Sequence, residues 1–198
     1  MLIPKIIFKY SWIYDQNWKI VWLDSKKKVF KTYPSPEMVF KYIKKIEKLW
    51  RKEEKKVLTE ISKITGLKWQ EKFIDCYVVG RRIPFSQPLT MQVYEKYDYF
   101  IDVLTHELIH NIFIQNEKNL GNCWKYFFEK YKKEPNNTQV HIYLHAFHKH
   151  IFLKLYNERR LKREIESISR FPAYKRSWEI VQRDGYQNII NEFVKRIK

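Results

Sequence analysis

The first 33 residues carry short apolar runs separated by polar breaks. The runs are rich in β-branched and aromatic residues, which favours strands. Clusters of Asp, Gln, Asn, Ser and Lys interrupt them, as turns between paired strands do. The pattern therefore predicts three strands in a meander or hairpin, at residues 6–8, 18–23 and 29–33.

A long amphipathic helix is predicted next. Ser35 is a favourable N-cap, and Pro36 suits the first helical position because an N–H there would have no intrahelical partner. Apolar residues then recur at three- and four-residue steps as far as Thr65, where Gly66 is typical of a helix end. The residues predicted on the buried side are Val39, Ile43, Ile46, Leu49 and Trp50.

Two further strands are predicted before the middle of the chain. Residues 73–79 form an apolar run that ends at Gly80. Residues 89–94 alternate apolar and polar side chains, which is typical of a half-buried strand at the edge of a sheet. We therefore expect the second of these strands to lie at a sheet edge.

The second half of the chain is predicted to be helical. Apolar residues recur there with the period of an α-helix, and Gly121, Pro135 and Pro172 interrupt the pattern. Together with the earlier strands this predicts an α+β fold, in which a small antiparallel or mixed sheet packs on helices. The predicted helices cover residues 97–116, 121–133, 138–169, 175–183 and 186–198.

Length and composition favour one globular domain. A chain of 198 residues suits a single domain with a full hydrophobic core, so we expect one domain over residues 1–198. Its strands and long helix would lie in residues 1–96 and its remaining helices in 97–198. The chain has 7 Trp, 14 Tyr and 13 Phe but only 4 Gly, which argues against a disordered chain.

The positive charge of the chain suggests an anionic partner. There are 39 Lys and Arg residues against 22 Asp and Glu, a formal net charge of +17. A nucleic acid or an anionic membrane would fit such a field, and solvated helix faces are the alternative explanation. No nucleic-acid recognition module accompanies the charge, so nucleic acid is a possible partner only.

Signals for secretion or membrane insertion are not found in the sequence. The first five residues do not begin a signal peptide, and no run of 18 apolar residues occurs. Cys76 and Cys123 form neither a disulfide framework nor a C-x-x-C metal site, so we expect two small buried side chains. These features predict a cytoplasmic protein, and its oligomeric state stays open.

The predicted helix over residues 97–116 carries the pattern H-E-x-x-H at His106, Glu107 and His110. Residues four apart lie on one helix face, so both imidazoles can be directed at one point. Glu107 is rotated by about 100° from His106 and can reach a metal-held water without binding the metal. Imidazole ligands, an open position for water and a nearby carboxylate are what a catalytic zinc ion requires.

A third ligand is expected from another helix. All six histidines of the chain fall between His106 and His150, which favours metal binding over chance. On the predicted helix 138–169, His141, His145 and His148 lie within about 60° of one another at 100° per residue, whereas His150 points away. One of the three would be the ligand, and a neighbour could hold an imidazole through its other nitrogen.

These features resemble the zincin metallopeptidases, most closely a small gluzincin-like member. The resemblance rests on the motif at 106–110, the strand before it and the histidine-bearing helix after it, and it covers residues 73 to about 160. The metzincin branch is excluded, because it requires Gly and His where this chain has Phe113 and Asn116. SprT-like proteases, which act on DNA-bound proteins, are also similar, but their His-Gly motif is not obvious here.

The resemblance implies a zinc-dependent peptidase, most simply an endopeptidase. Glu107 would be the general base, and His106, His110 and His141 would bind Zn²⁺. By the gluzincin spacing His141 is the ligand and His145 the side chain that supports it, although their order stays open. The strand before the motif helix, with Thr90, Met91 and Gln92, would hold the peptide substrate by main-chain hydrogen bonds.

Two other functions remain open at this stage. One is a nucleic-acid-associated, SprT-like protease. The other is a non-catalytic structural zinc protein, in which His141 and His145 both bind the metal. No residue stands out as the stabiliser of the tetrahedral oxyanion, for which Tyr143, Tyr156 and Arg159 are the candidates. Glu158 is the next candidate for a third ligand.

Overall fold

The computed structural model describes residues 2–25 and 32–197. Over these residues it contains eight α-helices and one four-stranded mixed sheet, which confirms the predicted α+β class and the helical C-terminal half. Backbone contacts divide the chain into two compact units. Residues 3–55 and 71–111 form the sheet unit, and residues 56–70 and 112–197 lie in the helical unit. The single-domain expectation stays a prediction.

The sheet has the strand order β1-β2-β4-β3. β2 runs parallel to β1 and to β4, and the two-residue β3 pairs antiparallel with β4. The prediction that residues 89–94 form an edge strand is therefore wrong, because β4 has a strand on each side. The strands are β1 (Lys5–Lys9), β2 (Phe73–Val79), β3 (Phe85–Ser86) and β4 (Leu89–Gln92).

Side chains from a helix cover the outer edge of β1. The Ile6 backbone N–H donates to Glu54 Oε1 at 2.8 Å, and the Ile6 carbonyl accepts from Arg51 Nη2 at 3.0 Å. An edge strand otherwise presents unpaired backbone groups to other chains. Arg51 and Glu54 also pair with each other at 2.6 Å, so one ion pair satisfies both backbone groups of Ile6.

The long helix predicted from the Ser35-Pro36 pair is confirmed as α2 (Pro36–Thr65). The Ser35 hydroxyl accepts from the Met38 N–H at 3.4 Å, as an N-cap does. Gly66 follows the last turn at φ +71°, a conformation that only glycine adopts without strain.

A helix replaces the strand predicted at residues 18–23. α1 (Trp12–Asp24) begins after Ser11, whose hydroxyl lies 3.5 Å from the Tyr14 N–H. Asp15 is 1 % exposed and accepts from the Tyr33 hydroxyl at 2.6 Å and from the Gly80 N–H at 2.8 Å. These buried hydrogen bonds fix one side of the helix. Residues 29–31 of the third predicted strand lie outside the described residues, and Thr32 and Tyr33 are not in a strand.

The helices of the second half follow the predicted order with one correction. The predicted helix 138–169 is two helices, because the backbone leaves the helical region at Tyr156 and the Asn157 side chain caps a new helix through the Arg160 N–H at 2.9 Å. The observed helices are α3 (Tyr97–Gln115), α4 (Gly121–Lys130), α5 (Asn136–Leu155), α6 (Glu158–Ile168), α7 (Pro172–Asp184) and α8 (Tyr186–Val194).

Aromatic side chains form much of the core of the helical unit. Phe193 of α8 lies at the centre of this cluster, with its ring 5.0 Å from that of Phe147 and 5.3 Å from that of Phe113. Trp124 and Tyr143 pack against each other at 4.8 Å. Aromatic pairs at such distances add to the stability gained from their buried area. This core fixes α4, α5 and α8 together.

Candidate metal centre

Helix α3 places the two motif histidines side by side. The ring centroids of His106 and His110 are 5.2 Å apart, as expected for side chains one turn apart. His106 is buried and His110 is partly exposed. The helix is joined to the hairpin that contains β3 and β4, because Asn111 Nδ2 donates to the Ser86 carbonyl at 3.2 Å. The motif is therefore held on a fixed element of the sheet unit.

Glu107 occupies a low-dielectric position beside the sheet. Its side chain is buried, and burial raises the pKa of its carboxyl to about 8. Burial also raises the pKa of the Cys76 thiol on β2 well above its usual value, and the neighbouring Glu107 charge adds to that shift. A carboxyl with a pKa near neutrality can both accept and return a proton. These properties suit a general base.

His141 on α5 has one ring nitrogen fixed by a hydrogen bond. Its Nδ1 lies 2.7 Å from the Asn137 carbonyl oxygen. A carbonyl oxygen only accepts, so Nδ1 carries the proton and Nε2 keeps its lone pair for a ligand. The ring lies 4.2 Å from that of Tyr174 on α7. Burial lowers the pKa of His141, with the Asn137 hydrogen bond acting in the opposite direction, so the neutral form is favoured.

The histidines of the motif and of α5 converge. His106, His110 and His141 each offer a ring nitrogen, and these three atoms lie within 4.8 Å of one another. Among the described His, Cys, Asp and Glu residues, these three histidines form the group whose possible ligand atoms lie close enough together to hold a metal ion. The same three residues were the ligands expected from the sequence. Neutral imidazoles suit zinc, copper, iron and nickel, so the donor set alone leaves the metal open.

His145 lies one turn after His141 and has protein partners for its ring. Its Nδ1 is 2.7 Å from Ser177 Oγ, and that hydroxyl donates to the Tyr174 carbonyl at 2.8 Å. Nδ1 is therefore the donor to Ser177. The ring stacks on Trp178 at 4.4 Å and lies 5.4 Å from the ring of His141. Ser177, Tyr174 and Trp178 belong to α7, and nothing in the sequence pattern indicated their place beside these histidines.

The last two histidines of α5 lie in different surroundings. His148 is fully buried, its pKa is lowered to about 3 by burial, and its ring packs on Phe152 at 4.4 Å. His150 Nε2 lies 3.0 Å from Glu60 Oε1, and Lys154 pairs with the same carboxylate at 2.8 Å. The predicted separation of His150 from the other three is consistent with this contact.

The β4 residues expected to hold substrate through their main chain have side chains that contact other parts of the protein. Thr90 Oγ1 lies 2.8 Å from the Pro88 carbonyl and 3.0 Å from the Tyr14 hydroxyl. Met91 is fully buried, and Gln92 Oε1 accepts from the Arg82 N–H at 3.1 Å. Their substrate role stays a prediction, but it loses the edge position on which it was based.

An open groove lies at the other end of the same sheet. β4 pairs with β2 only from Tyr77 onwards, so the first residues of β2 have β1 as their ladder partner among the described strands. A groove of about 360 Å³ lies beside them. Asn111, the residue after His110, forms part of its wall. The other lining residues are Glu71, Phe73, Ile74, Asp75, Tyr77, Gln87, Pro88 and Leu89.

The oxyanion candidates lie in unlike places. Tyr143 is buried in the aromatic core, and burial raises the pKa of its hydroxyl. Tyr156 is covered by the Arg160 guanidinium at 3.7 Å, and Arg159 is exposed, as is Glu158 in the first turn of α6. Cys76 and Cys123 are free and buried, as predicted.

Comparison with known proteins gives no family. No protein-family model, curated protein or solved structure matches this chain. Within residues 2–25 and 32–197, none of the helices combines the length and the apolar character that crossing a bilayer requires. Any functional conclusion therefore depends on the site itself.

Proposed function

We propose that this protein is a zinc-dependent peptidase, in which His106, His110 and His141 hold the metal and Glu107 is the general base. The observation that carries the proposal is the approach of three ring nitrogens to within 4.8 Å, two of them on a helix that also bears a buried carboxylate. Three protein ligands are typical of a catalytic zinc site, which keeps a position open for water.

The surroundings of the ligands support this assignment. The Asn137 carbonyl fixes His141 with its proton on Nδ1, an arrangement common among metal-binding histidines. His145 does not belong to the group of three, and its Nδ1 donates to Ser177. This favours a supporting role for His145 over a closed site with four protein ligands.

Metal binding and proton transfer each have residues available for them. A bound zinc ion would act as a Lewis acid on the scissile carbonyl and would lower the pKa of water. Glu107 accepts the proton of the attacking water on its carboxylate and returns it to the leaving amine. Burial raises the pKa of this carboxyl to about 8 in the metal-free protein, and a bound cation nearby would favour the ionised form that accepts the proton.

An extended peptide is the substrate class that the sheet unit favours. Among the described strands, residues 73–76 of β2 have β1 alone as a neighbour, so their other side can pair with a peptide backbone, as where a chain adds a strand to a sheet. Phe73 is 62 % exposed beside this edge and offers an apolar contact. Asn111 lines the groove and directly follows the motif residue His110 on α3.

The test combines metal analysis with one matched pair of variants. We expect about one zinc per chain, lost in His106→Ala, and hydrolysis of an unstructured protein such as casein. Glu107→Gln should keep the zinc while kcat/KM falls by about 10²–10⁴-fold, the usual contribution of general acid–base catalysis. Glu117→Gln, at an exposed glutamate, should behave as wild type. Unchanged turnover in Glu107→Gln, or no zinc after exposure to excess metal, would reject the proposal.

The net charge of +17 supports a second candidate function, a nucleic-acid-associated protease. Such a protein should be retained on immobilised DNA and released as salt rises, because released counterions drive the binding. A cytoplasmic location is part of both proposals.

A further inference from the structure

Helix α1 packs on the sheet unit with aromatic rings and buried polar atoms, and its aliphatic side chains face outwards. On the inner side, the Tyr14 hydroxyl lies 3.0 Å from Thr90 Oγ1, and Asp15 accepts hydrogen bonds from Tyr33 and Gly80. Trp18 lies beneath the Arg82 guanidinium at 4.0 Å. A surface helix of a globular protein normally has charged and polar residues on its outer face, whereas α1 has aliphatic residues there.

The outer side of α1 is unusually apolar for a free surface. Ile13 and Ile20 are seven residues apart, so they lie on the same face, and they are 69 % and 58 % exposed. Trp12, Val21 and Leu23 flank them, each more than half exposed. We call these five side chains the α1 patch. Contiguous apolar patches of this kind mark surfaces that bind something.

Helix α2 carries another exposed apolar side chain, Phe40. The ring of Phe40 lies 4.8 Å from that of Tyr10, two residues before Trp12, and Phe40 is half exposed. Lys44 follows Phe40 by one helical turn and is exposed, as are Lys41 and Lys45. The exposed Phe40 ring therefore has lysines near it on α2.

The sequence near α1 is mainly basic. Lys26, Lys27 and Lys28 follow Ser25 in the sequence, against the acidic residues Asp24 and Glu37. Nucleic acid would account for the lysines but not for exposed isoleucines. A combination of Trp and aliphatic side chains with neighbouring lysines is typical of helices that lie in the interface of an anionic bilayer.

We propose that the α1 patch binds the surface of anionic membranes. A helix of 13 residues is about 20 Å long, too short to span a bilayer but sufficient to lie along its surface. Aliphatic side chains enter the headgroup boundary, and lysines are attracted by the lipid charge. The proposal is independent of the metal site.

The test is co-sedimentation of the intact protein with lipid vesicles. We expect binding to phosphatidylcholine vesicles that contain 30 % phosphatidylserine, and weaker binding to pure phosphatidylcholine or in 0.5 M salt. The variant Ile13→Ser/Ile20→Ser should lower the partition coefficient by about tenfold or more, because two buried aliphatic side chains are lost. Both side chains are exposed, so the fold should persist, which zinc content or circular dichroism would verify.

The control variant is Ile114→Ser/Val194→Ser, which removes two comparably branched side chains that are 42 % and 41 % exposed on other helices. Its binding should equal that of wild type. Equal binding by Ile13→Ser/Ile20→Ser would overturn the proposal, as would equal loss in both double variants. No binding to the phosphatidylserine vesicles, with a dimer in solution that Ile13→Ser/Ile20→Ser dissociates, would identify the patch as a contact between copies and would also overturn it.

Discussion

Replacing Glu107 by Gln should stabilise the metal-free protein, and increasingly so as the pH rises. Burial raises the folded-state pKa of this carboxyl to about 8, above its usual value of 4.5. Below pH 4.5 the group is protonated in both the folded and the unfolded state and carries no penalty. Between 4.5 and about 8 the unfolded chain releases its proton while the folded chain keeps it. Stability present at low pH is therefore lost as the pH rises.

The magnitude follows from the two pKa values. A difference of one pKa unit corresponds to about 1.4 kcal/mol, so ionising Glu107 costs the folded state about 5 kcal/mol once the pH exceeds 8. By the same relation the cost is about 1 kcal/mol at pH 5 and about 3 kcal/mol at pH 7. No reduction for solvent screening is needed, because the side chain is only 7 % exposed. Gln has nearly the same shape and cannot ionise.

The assay is urea unfolding of wild type and Glu107→Gln in the presence of chelator, at intervals from pH 5 to pH 9. The difference in unfolding free energy should widen with pH. Glu60→Gln is a matched control at another buried glutamate. Burial alone would raise the pKa of Glu60, but hydrogen bonds from Lys154 and His150 outweigh it and lower the pKa. Glu60→Gln should therefore destabilise at neutral pH. Parallel curves for wild type and Glu107→Gln would show that Glu107 titrates normally and refute the reasoning.

Two further predictions concern the other site histidines and the anchor of α1. In a chelator titration, His141→Ala should lose zinc most readily, and His145→Ala should weaken zinc binding by about 10- to 100-fold. His148→Ala should keep the wild-type affinity for zinc. The reverse order for His141→Ala and His145→Ala would make His145 the ligand. Asp15→Ala should lower the unfolding free energy by about 2–4 kcal/mol, because the Tyr33 hydroxyl and the Gly80 N–H lose their buried acceptor. The control Asp24→Ala, at the exposed end of α1, should change the unfolding free energy little.

The N-terminal part of the chain shows where local pattern fails. Residues 18–23 are aromatic and β-branched, so strand propensity is high, yet they form part of α1. Asp15, in the first turn of α1, is held by Tyr33 and Gly80, which are 18 and 65 residues away. Gly80 is required as well, because a Cβ there would collide with the Tyr33 ring. None of these contacts has a signature in the run itself, since propensity yields to tertiary context.

The helix boundaries were predictable where local chemistry sets them. Ser35, Pro36 and Gly66 mark the ends of α2 by capping and φ preference, which act within a few residues. Asn157 has the same capping function for α6, but it lies inside a continuous apolar pattern, which predicts a single helix. The prediction that β4 is an edge strand was wrong for another reason. Alternation of side chains reports burial of one face and says nothing about neighbours along the hydrogen-bonding direction.

In the candidate metal site, too, local helix geometry predicts some residues, whereas the roles of others depend on tertiary contacts. His106 and His110 were predictable because helical geometry fixes residues four apart on one face. The helical wheel placed His141, His145 and His148 together, but it could not rank them, since their roles depend on which atoms α7 and the first turn of α5 present. In the structure both His141 and His145 have Nδ1 fixed by an acceptor, at Asn137 and Ser177 respectively. Their difference is one of position along the helix: the nitrogen of His141 joins the group with His106 and His110, whereas His145 stacks on Trp178 beside it. The His145 ring lies 5.4 Å from that of His141, so we expect loss of His145 to weaken metal binding by removing a neighbour of the ligand, and loss of His141 to abolish it by removing the ligand itself.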